Sequence, residues 1–499
     1  MSELEGFLKQ VTSTKDEFLR RLQQNNGRSV LIIAHHDADG LCAASILALA
    51  LKRENIPFQI RIIKQLTDRN IKGLAEEIKF PLFAFVDFGA GQLSMILEHC
   101  SKDNLLLLDH HELDDLVSEQ DMEGLLQVNP WKLGIDGSIN ISAAGVAFFF
   151  AVAMSKENRD LSYLSIIGAL GDKQDKAEKS SLKGINQEIV RTAIACGIVS
   201  QTIDLKVFGR FSRPIHLALS NTMNPYIPGL SGNDSECIAF LNKLNIPLRD
   251  GKKQRTISDL SQDEKSRLVS GIIEWSLKHG MNPEKVRNII GTVYILEDEE
   301  PSTNLKDLRE FASLINACGR SGYAGVALGI ALGNRQELLK KGQIISNEYR
   351  DKLINYIDWV SVNKTIKSRE NMVIIEGESY IDDSMIGPLI STLMDSRKIG
   401  KELPILGWAR LKDDEKLVKI SARADSNLLR KKLNLGKNFI TVMKKLDVKK
   451  SGGGHALVAG AEIEWNKLER FLKLLGREFN KILDHEDENT TEGQSANWF

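Results

Sequence analysis

Val30-Leu31-Ile32-Ile33-Ala34-His35-His36-Asp37-Ala38-Asp39-Gly40 joins an apolar, largely β-branched run to a cluster of histidine, aspartate and glycine. Such a run reads as a buried strand that delivers polar side chains at its carboxyl end. His35, Asp37 and Asp39 stand at alternate positions. A pleat carried through them would put all three on one face, as ligands of a hard divalent cation require. The other reading is a polar turn whose Asp and Gly cap the helix Leu41 to Lys52. The segments that follow choose between the two.

After that helix come Phe58 to Ile63, a helix around Asn70 to Lys79, and the apolar Phe83-Ala84-Phe85-Val86-Asp87. A helix through Met95 leads to Asn104-Leu105-Leu106-Leu107-Leu108-Asp109. Strands and helices in alternation predict an α/β fold with a parallel, doubly wound sheet, and strands this apolar predict cover on both faces. Ser142 to Met154 reads as an apolar helix, and Leu164 to Asp172 as one more buried run ending in an acid.

A helix over residues 3 to 26 precedes this unit, on an apolar stripe of Leu4, Phe7, Leu8, Val11, Phe18, Leu19 and Leu22. Residues 180 to 290 read as helices and polar loops, with a turn at Asn224-Pro225-Tyr226-Ile227-Pro228-Gly229. A helix from Asn304 to Leu314 runs into Asn316-Ala317-Cys318-Gly319-Arg320, and Glu337 to Asn363 reads as a charged helical connector. A second, smaller α/β unit takes in strands from Met372, Leu403 to Trp408, Leu417 to Ala422 and Ala456 to Glu464, then the helix Trp465 to Leu483. The expected domains are therefore 1–190, a mainly helical insertion and connector over 191–370, 371–483, and an acidic disordered tail over 484–499. The closing Asn497-Trp498-Phe499 stands out in that tail as a short docking motif.

At 499 residues the chain exceeds a single core. A formal net charge of −1 confines any polyanion site to a local patch. Five scattered cysteines, never in CxxC, disfavour both a disulfide framework and a thiolate zinc site. The acidic start Met-Ser-Glu-Leu-Glu is unlike a signal peptide, and no segment reaches the roughly 20 apolar residues of a membrane span. The expectation is a soluble, cytoplasmic protein with no membrane partner.

Collected, the ends of these apolar runs are His35, Asp37 and Asp39; Asp87; Asp109-His110-His111; and Asp172. Carboxyl ends of a doubly wound sheet converge on one crevice. Five carboxylates and three imidazoles gathered there repel one another unless cations neutralise them. Oxygen and imidazole donors without thiolate point to Mn²⁺ or Mg²⁺. A set this large suits two ions about 3.5–4 Å apart, the arrangement that clamps attacking and leaving oxygens in phosphoryl transfer.

HHDADG, VDFGAG, DHH and GALGD, in that order, resemble the four motifs of the DHH phosphoesterase superfamily, and Ser451-Gly452-Gly453-Gly454-His455 resembles the GGGH signature of the DHH-associated domain. Length and the Asn316–Arg320 segment resemble the archaeal RecJ-like nucleases, a group that includes a nuclease associated with the GINS replication complex. The resemblance implies that His35 and Asp39 bind one metal, that Asp37, His110 and Asp172 bind the other, and that Asp87 bridges. It also implies that Asp109 orients its neighbours and that His111 contacts the scissile phosphate. His36 falls where the family varies. Bacterial RecJ has Asp where His35 stands, whereas phosphatase-like and oligonucleotide-cleaving relatives have His.

Substrate contacts are expected from Gly452, Gly453 and Gly454, whose backbone N–H groups can approach a phosphate closely, and from His455. Arg423 resembles a family residue that touches a substrate phosphate, and Arg320 is a further candidate, with a plain helix C-cap as its alternative. Lys419, Arg423, Arg430, Lys431, Lys432, Lys437, Lys444, Lys445, Lys449 and Lys450 make a basic stretch that suits a single strand's backbone or is simply a solvated helix face. The expected function is a two-metal exonuclease, Mn²⁺- or Mg²⁺-dependent, acting on single-stranded DNA or RNA in replication or repair. The alternatives are a small-substrate phosphoesterase (oligoribonucleotide, cyclic dinucleotide or 3′-phosphoadenosine phosphate) and a scaffold docked on GINS within a replicative helicase complex.

Overall fold

The computed structural model describes residues 3–24, 29–77, 81–281, 283–369, 371–395, 403–412, 414–448 and 452–483. The expected tail, its Asn497-Trp498-Phe499 motif, and Lys79, Lys449, Lys450 and Ser451 lie outside them. Two compact units form: Met1–Ala218 with Asn245–Ser266 and Asn288–Glu348, and Leu219–Leu244 with Arg267–Arg287 and Tyr349–Phe499. The segment expected as a separate insertion is thus shared between the two.

In the first unit α1 (Glu3–Gln24) precedes β1 (Val30–His35), α2 (Ala38–Arg53), β2 (Phe58–Ile63), α3 (Asp68–Glu77), β3 (Leu82–Val86) and α4 (Leu93–Leu97). Then come β4 (Leu105–Leu108), β5 (Leu126–Val128), α5 (Ala143–Met154), α6 (Ser162–Gly171), α7 (Ile185–Ala195) and β6 (Val199–Leu205). The strands β2-β1-β3-β4-β5 form one sheet, every pairing parallel. Strand pleating splits the side chains between two cores. Ile32, Ala34, Ala84, Val86, Leu106 and Leu108 pack toward α1, α2 and α5, while Leu31, Ile33, Phe83, Phe85, Leu105 and Leu107 pack with Ile71, Leu93 and Ile96 of α3 and α4. The chain leaves β1 for β2 on one side and returns as β3 on the other. The β1/β3 boundary is therefore the switch point where such sheets open a crevice.

Three expectations are corrected here. The strand does not run through Asp39: β1 stops at His35, Asp37 is the N-cap of α2, and α2 begins at Ala38 rather than Leu41. The Asp37 carboxylate accepts from Gly40 N at 3.2 Å, and this cap turns the chain into helix before a pleat can continue. Leu164 to Gly171 is helix α6, not strand, with Leu164, Ile166, Ile167 and Leu170 all buried. A short helix buried all round shows no amphipathic period and reads like a buried strand. Within 180–290 the strand β6 pairs antiparallel with Ile290–Leu296, an element its polar Ser-Gln-Thr centre concealed.

The second unit holds a mixed six-stranded sheet in the order Ile366–Arg369, Met372–Glu378, Ile405–Arg410, Leu417–Arg423, Val458–Glu464, Gly452–His455. Met372–Glu378 and Ile405–Arg410 are parallel and the other pairings antiparallel. One face packs with Phe439, Phe471 and Phe479, the other with Ile386, Leu389 and Ile390. The glycine signature is an edge strand paired with Val458–Ala461. No helix among the described residues is long and apolar enough to cross a membrane.

Candidate metal centre

The end of β1 presents His35, and one turn of chain brings Asp37 back against it. Asp37 Oδ2 lies 3.1 Å from His35 Nδ1 while its other oxygen caps α2. Asp39, in the first turn of α2, is fully gripped. Its Oδ2 accepts from Ala143 N at 2.7 Å and its Oδ1 from Ala144 N at 2.9 Å, both at the amino end of α5. That helix end carries a partial positive charge, which favours the buried carboxylate. The approach needs Gly168, where an added Cβ would stand 2.4 Å from Asp39 Oδ1.

Asp87 follows β3 at φ +65°, a left-handed conformation rare outside glycine, and is 3% exposed. From there one oxygen reaches His35 Nδ1 at 3.4 Å and the other His110 Nε2 at 3.3 Å. Asp109, at the end of β4 and wholly buried, is consumed by its surroundings. Oδ2 accepts from Ala90 N at 2.9 Å; Oδ1 accepts from His110 N at 2.7 Å, His111 N at 3.2 Å and His111 Nδ1 at 2.8 Å. The backbone carbonyls of His110 and His111 accept from Trp131 Nε1 and Asn129 Nδ2. His110 Nδ1 faces Gly137 O at 2.8 Å. A carbonyl only accepts, so Nδ1 carries a hydrogen to it and Nε2 is left facing the carboxylates, whose charges hold the ring protonated against its burial. Asp172 caps α6, with Oδ2 4.0 Å from His110 Nε2.

Three overlapping groups of close donor atoms result here: His35, Asp37 and Asp87; Asp39, His110 and Asp172; and Asp87, Asp109, His110 and His111, in which Asp109 and the Nδ1 of His111 are already engaged with each other. Asp87 touches a histidine of each. The distances exchange Asp37 and Asp39 relative to the partition the resemblance implied, because Asp37 caps its own helix beside His35 while α5 draws Asp39 toward His110.

The charges are mutually tuned. Burial opposes protonation of His35, but Asp37 and Asp87 outweigh it and lift the ring to about 10. Burial and repulsion from Asp87 and Asp172 push Asp39 up to about 8. For Asp109 burial raises the carboxyl, yet His111 and its other donors hold it well below the usual carboxylate range. Burial opposes protonation of His111 too, yet Asp109 raises it. His36 is driven down to about 2 by burial and by the positive neighbours His35 and Arg320. Carboxylates crowded until Asp39 and Asp172 are pushed up, beside an imidazole nitrogen that faces them, are a donor set that divalent cations fit, the cation taking the place of the protons.

Sequence reasoning missed several supports. Asn316 Oδ1 accepts from Ala38 N at 2.9 Å, and its Nδ2 lies 3.4 Å from Gly171 O, so the helix Leu308–Arg320 ties together the turns that carry Asp37, Asp39 and Asp172. Arg320 closes that helix, close enough for its charge to act on His36 and Asp37. Gln174 donates to Asp172 Oδ2 at 2.9 Å.

Arg423 and the glycine strand lie in the second unit. Arg423 ends the strand Leu417–Arg423, with Nε donating to Ser391 Oγ at 3.2 Å and Nη1 to Ala422 O at 2.8 Å. Gly454, at φ +141°, would place a Cβ 2.2 Å from Val458 O. Gly452 and Gly453 precede it in the same strand, which ends at His455.

The fold and the donor set define a metal-binding hydrolase of phosphodiester bonds. The chain belongs to the DHH family: the DHH family N-terminal domain matches residues 29–169, the DHH-CID domain residues 207–290 and the DHHA1 domain residues 371–481. An uncharacterized protein of Methanocaldococcus jannaschii is 31% identical over 478 residues, 95% of this chain and 97% of the relative. In fold the chain is similar to RecJ of Thermus thermophilus, crystallised with Mn²⁺, at TM-score 0.55 and 14% identity over 95% of this chain. It spans only 55% of that RecJ. It is also similar to CDC45 of Entamoeba histolytica, at TM-score 0.63 and 12% identity over 94% of this chain and 99% of that one.

Proposed function

We propose that this protein is an exonuclease that hydrolyses single-stranded DNA or RNA with two divalent cations, Mn²⁺ or Mg²⁺. One observation carries the reading: Asp87 stands between His35 and His110, at 3.4 and 3.3 Å, and so joins two ligand groups into one centre. In it, His35 and Asp37 would hold one ion and Asp39, His110 and Asp172 the other, with Asp87 shared between them. Bound there, the cations would polarise a phosphoryl oxygen and acidify an attacking water. His111, with Nδ1 donated to Asp109 and its ring 37% exposed, offers Nε2 to a phosphate oxygen. Residues 1–190 form the catalytic domain in this reading, and 191–370, divided between the two units, supply the insertion and connector. Residues 371–483 form the substrate domain, with Arg423, Gly452, Gly453, Gly454 and His455 as its phosphate contacts; Arg320, in the first unit, is a separate candidate.

A second reading, a scaffold that docks on the GINS complex, draws on the fold shared with CDC45. The complete donor set favours a working nuclease. The test is digestion of end-labelled single-stranded DNA and RNA of about 20 nucleotides with Mn²⁺, Mg²⁺ or EDTA, beside Asp39→Ala and Asp109→Ala. Metal-dependent loss from one end, absent in both variants, is expected. Cleavage confined to fragments of a few nucleotides would favour the small-substrate phosphoesterase, and no cleavage with any metal would favour the scaffold.

A further inference from the structure

We infer that Gln174 is a positioning residue for the second ligand group, setting both Asp172 and His110 through one amide; this rests on the reading that Asp39, His110 and Asp172 hold a cation. Gln174 is wholly buried in the turn that follows α6. Its Nε2 lies 2.9 Å from Asp172 Oδ2, 3.0 Å from Gly137 O, 3.3 Å from Ile141 O and 3.4 Å from His110 Nδ1. Two of these neighbours are backbone carbonyls, which only accept, so the amide has one sensible orientation, nitrogen toward the ligands. Its two hydrogens go to the nearer pair. The amide oxygen is then fixed from behind by Asn186 Nδ2 at 2.7 Å, in the first turn of α7.

Gly137 O links the glutamine to the histidine. It receives His110 Nδ1 at 2.8 Å and Gln174 Nε2 at 3.0 Å, so one carbonyl registers the histidine's tautomer and the glutamine's position together. Through its other hydrogen Gln174 restrains rotation of the Asp172 carboxylate, the most exposed member of the group, with a 30% exposed side chain. Asp39, by contrast, is locked by the amino end of α5 and needs no such help. Removing Gln174 therefore loosens Asp172 at Oδ2 and takes from Gly137 O one of the two hydrogens that hold it. Outer hydrogen bonds of this sort orient metal ligands, and their loss weakens metal affinity by about 10–100-fold.

A purely structural glutamine would satisfy the loop carbonyls and leave metal affinity untouched, and a metal titration separates the two roles. Mn²⁺ is titrated calorimetrically into the metal-free full-length protein and into Gln174→Leu, Asn186→Ala and Asn158→Leu. Asn158 is an equally buried amide in the same unit, donating to Ala151 O at 2.7 Å away from the ligands. Expected is a loss of about 10–100-fold in Mn²⁺ affinity for Gln174→Leu, a smaller loss for Asn186→Ala, and none for Asn158→Leu. The kcat of Gln174→Leu should recover as Mn²⁺ is raised to saturation. Should Gln174→Leu fail to fold, Asn186→Ala against Asn158→Leu carries the comparison alone. Wild-type affinity in the Gln174 and Asn186 variants, or an equal loss in Asn158→Leu, overturns the inference and leaves the proposed function standing. Absence of Mn²⁺ binding by the wild type overturns the proposed function itself.

Discussion

Asn316 Oδ1 accepts the Ala38 amide hydrogen at 2.9 Å across 278 residues of chain, and three residues later the same helix comes to rest on His36. At Gly319 a Cβ would stand 1.8 Å from the His36 carbonyl oxygen, which is backbone and cannot swing aside. Gly319→Ala must therefore push the helix off the turn that carries Asp37 and Asp39. The expected result is destabilisation by about 1–3 kcal/mol in denaturant unfolding, with weakened Mn²⁺ binding. Gly325→Ala, on the next helix with nothing within 4 Å, is the matched control and should be neutral or stabilising by about 0.4–1 kcal/mol.

Glu264 offers a pH-dependent test remote from the ligands. Its carboxylate takes Arg255 Nη1 at 2.8 Å and Nη2 at 2.6 Å, and the Arg255 hydrogen bonds, against a smaller effect of burial, lower it from 4.5 to about 2. The folded form is the one with the depressed value, so the pair's stabilisation is fully present above pH 4.5 and lost as pH falls through about 2. Glu264→Gln should lower unfolding free energy at pH 7 by about 1 kcal/mol or less, as befits a partly solvated pair. The gap between wild type and variant should narrow steadily below pH 4.5 in chemical unfolding curves. A gap independent of pH would mean that packing, not charge, is what Glu264 supplies.

The parts of this centre that could be read from the chain are those where a strand simply ends. Asp87 and Asp109 follow β3 and β4, whose apolar side chains bury on both faces, and strand ends of one parallel sheet have to meet. The backbone that carries Asp39 and Asp172 was not legible, since capping by Asp37 and all-round burial of α6 leave no mark on hydrophobic period. The exchange of Asp37 and Asp39 between ligand groups was beyond sequence reasoning for the same reason. It depends on α5 offering two amides to Asp39 from more than 100 residues away. Asn316, Gly319 and Gln174 act through contacts to residues distant in sequence, Ala38, His36 and Gly137 among them, which neither composition nor spacing records. The glycine strand hid differently: glycines lack the side chains by which strands are recognised.

His111 separates chemistry from metal binding. Its Nδ1 is spent on Asp109 at 2.8 Å, so although the ring lies in a donor cluster with Asp87, Asp109 and His110, only its Nε2 is left to act. Its partly exposed ring can thus meet a substrate while the ions sit elsewhere. For His111→Gln the expected outcome is a fall in kcat of about 10²–10³-fold, the usual effect of removing one donor to a developing charge, with Mn²⁺ affinity by calorimetry unchanged. Asp39→Ala should lose both together, because that carboxylate stands in the ligand group itself. If His111→Gln instead raised KM alone, the ring would serve ground-state binding, since a contact made equally in ground and transition states leaves kcat intact. If it weakened Mn²⁺ binding as severely as Asp39→Ala does, His111 would have to be counted among the ligands, joining Asp87 and His110, to which its ring nitrogens already lie close.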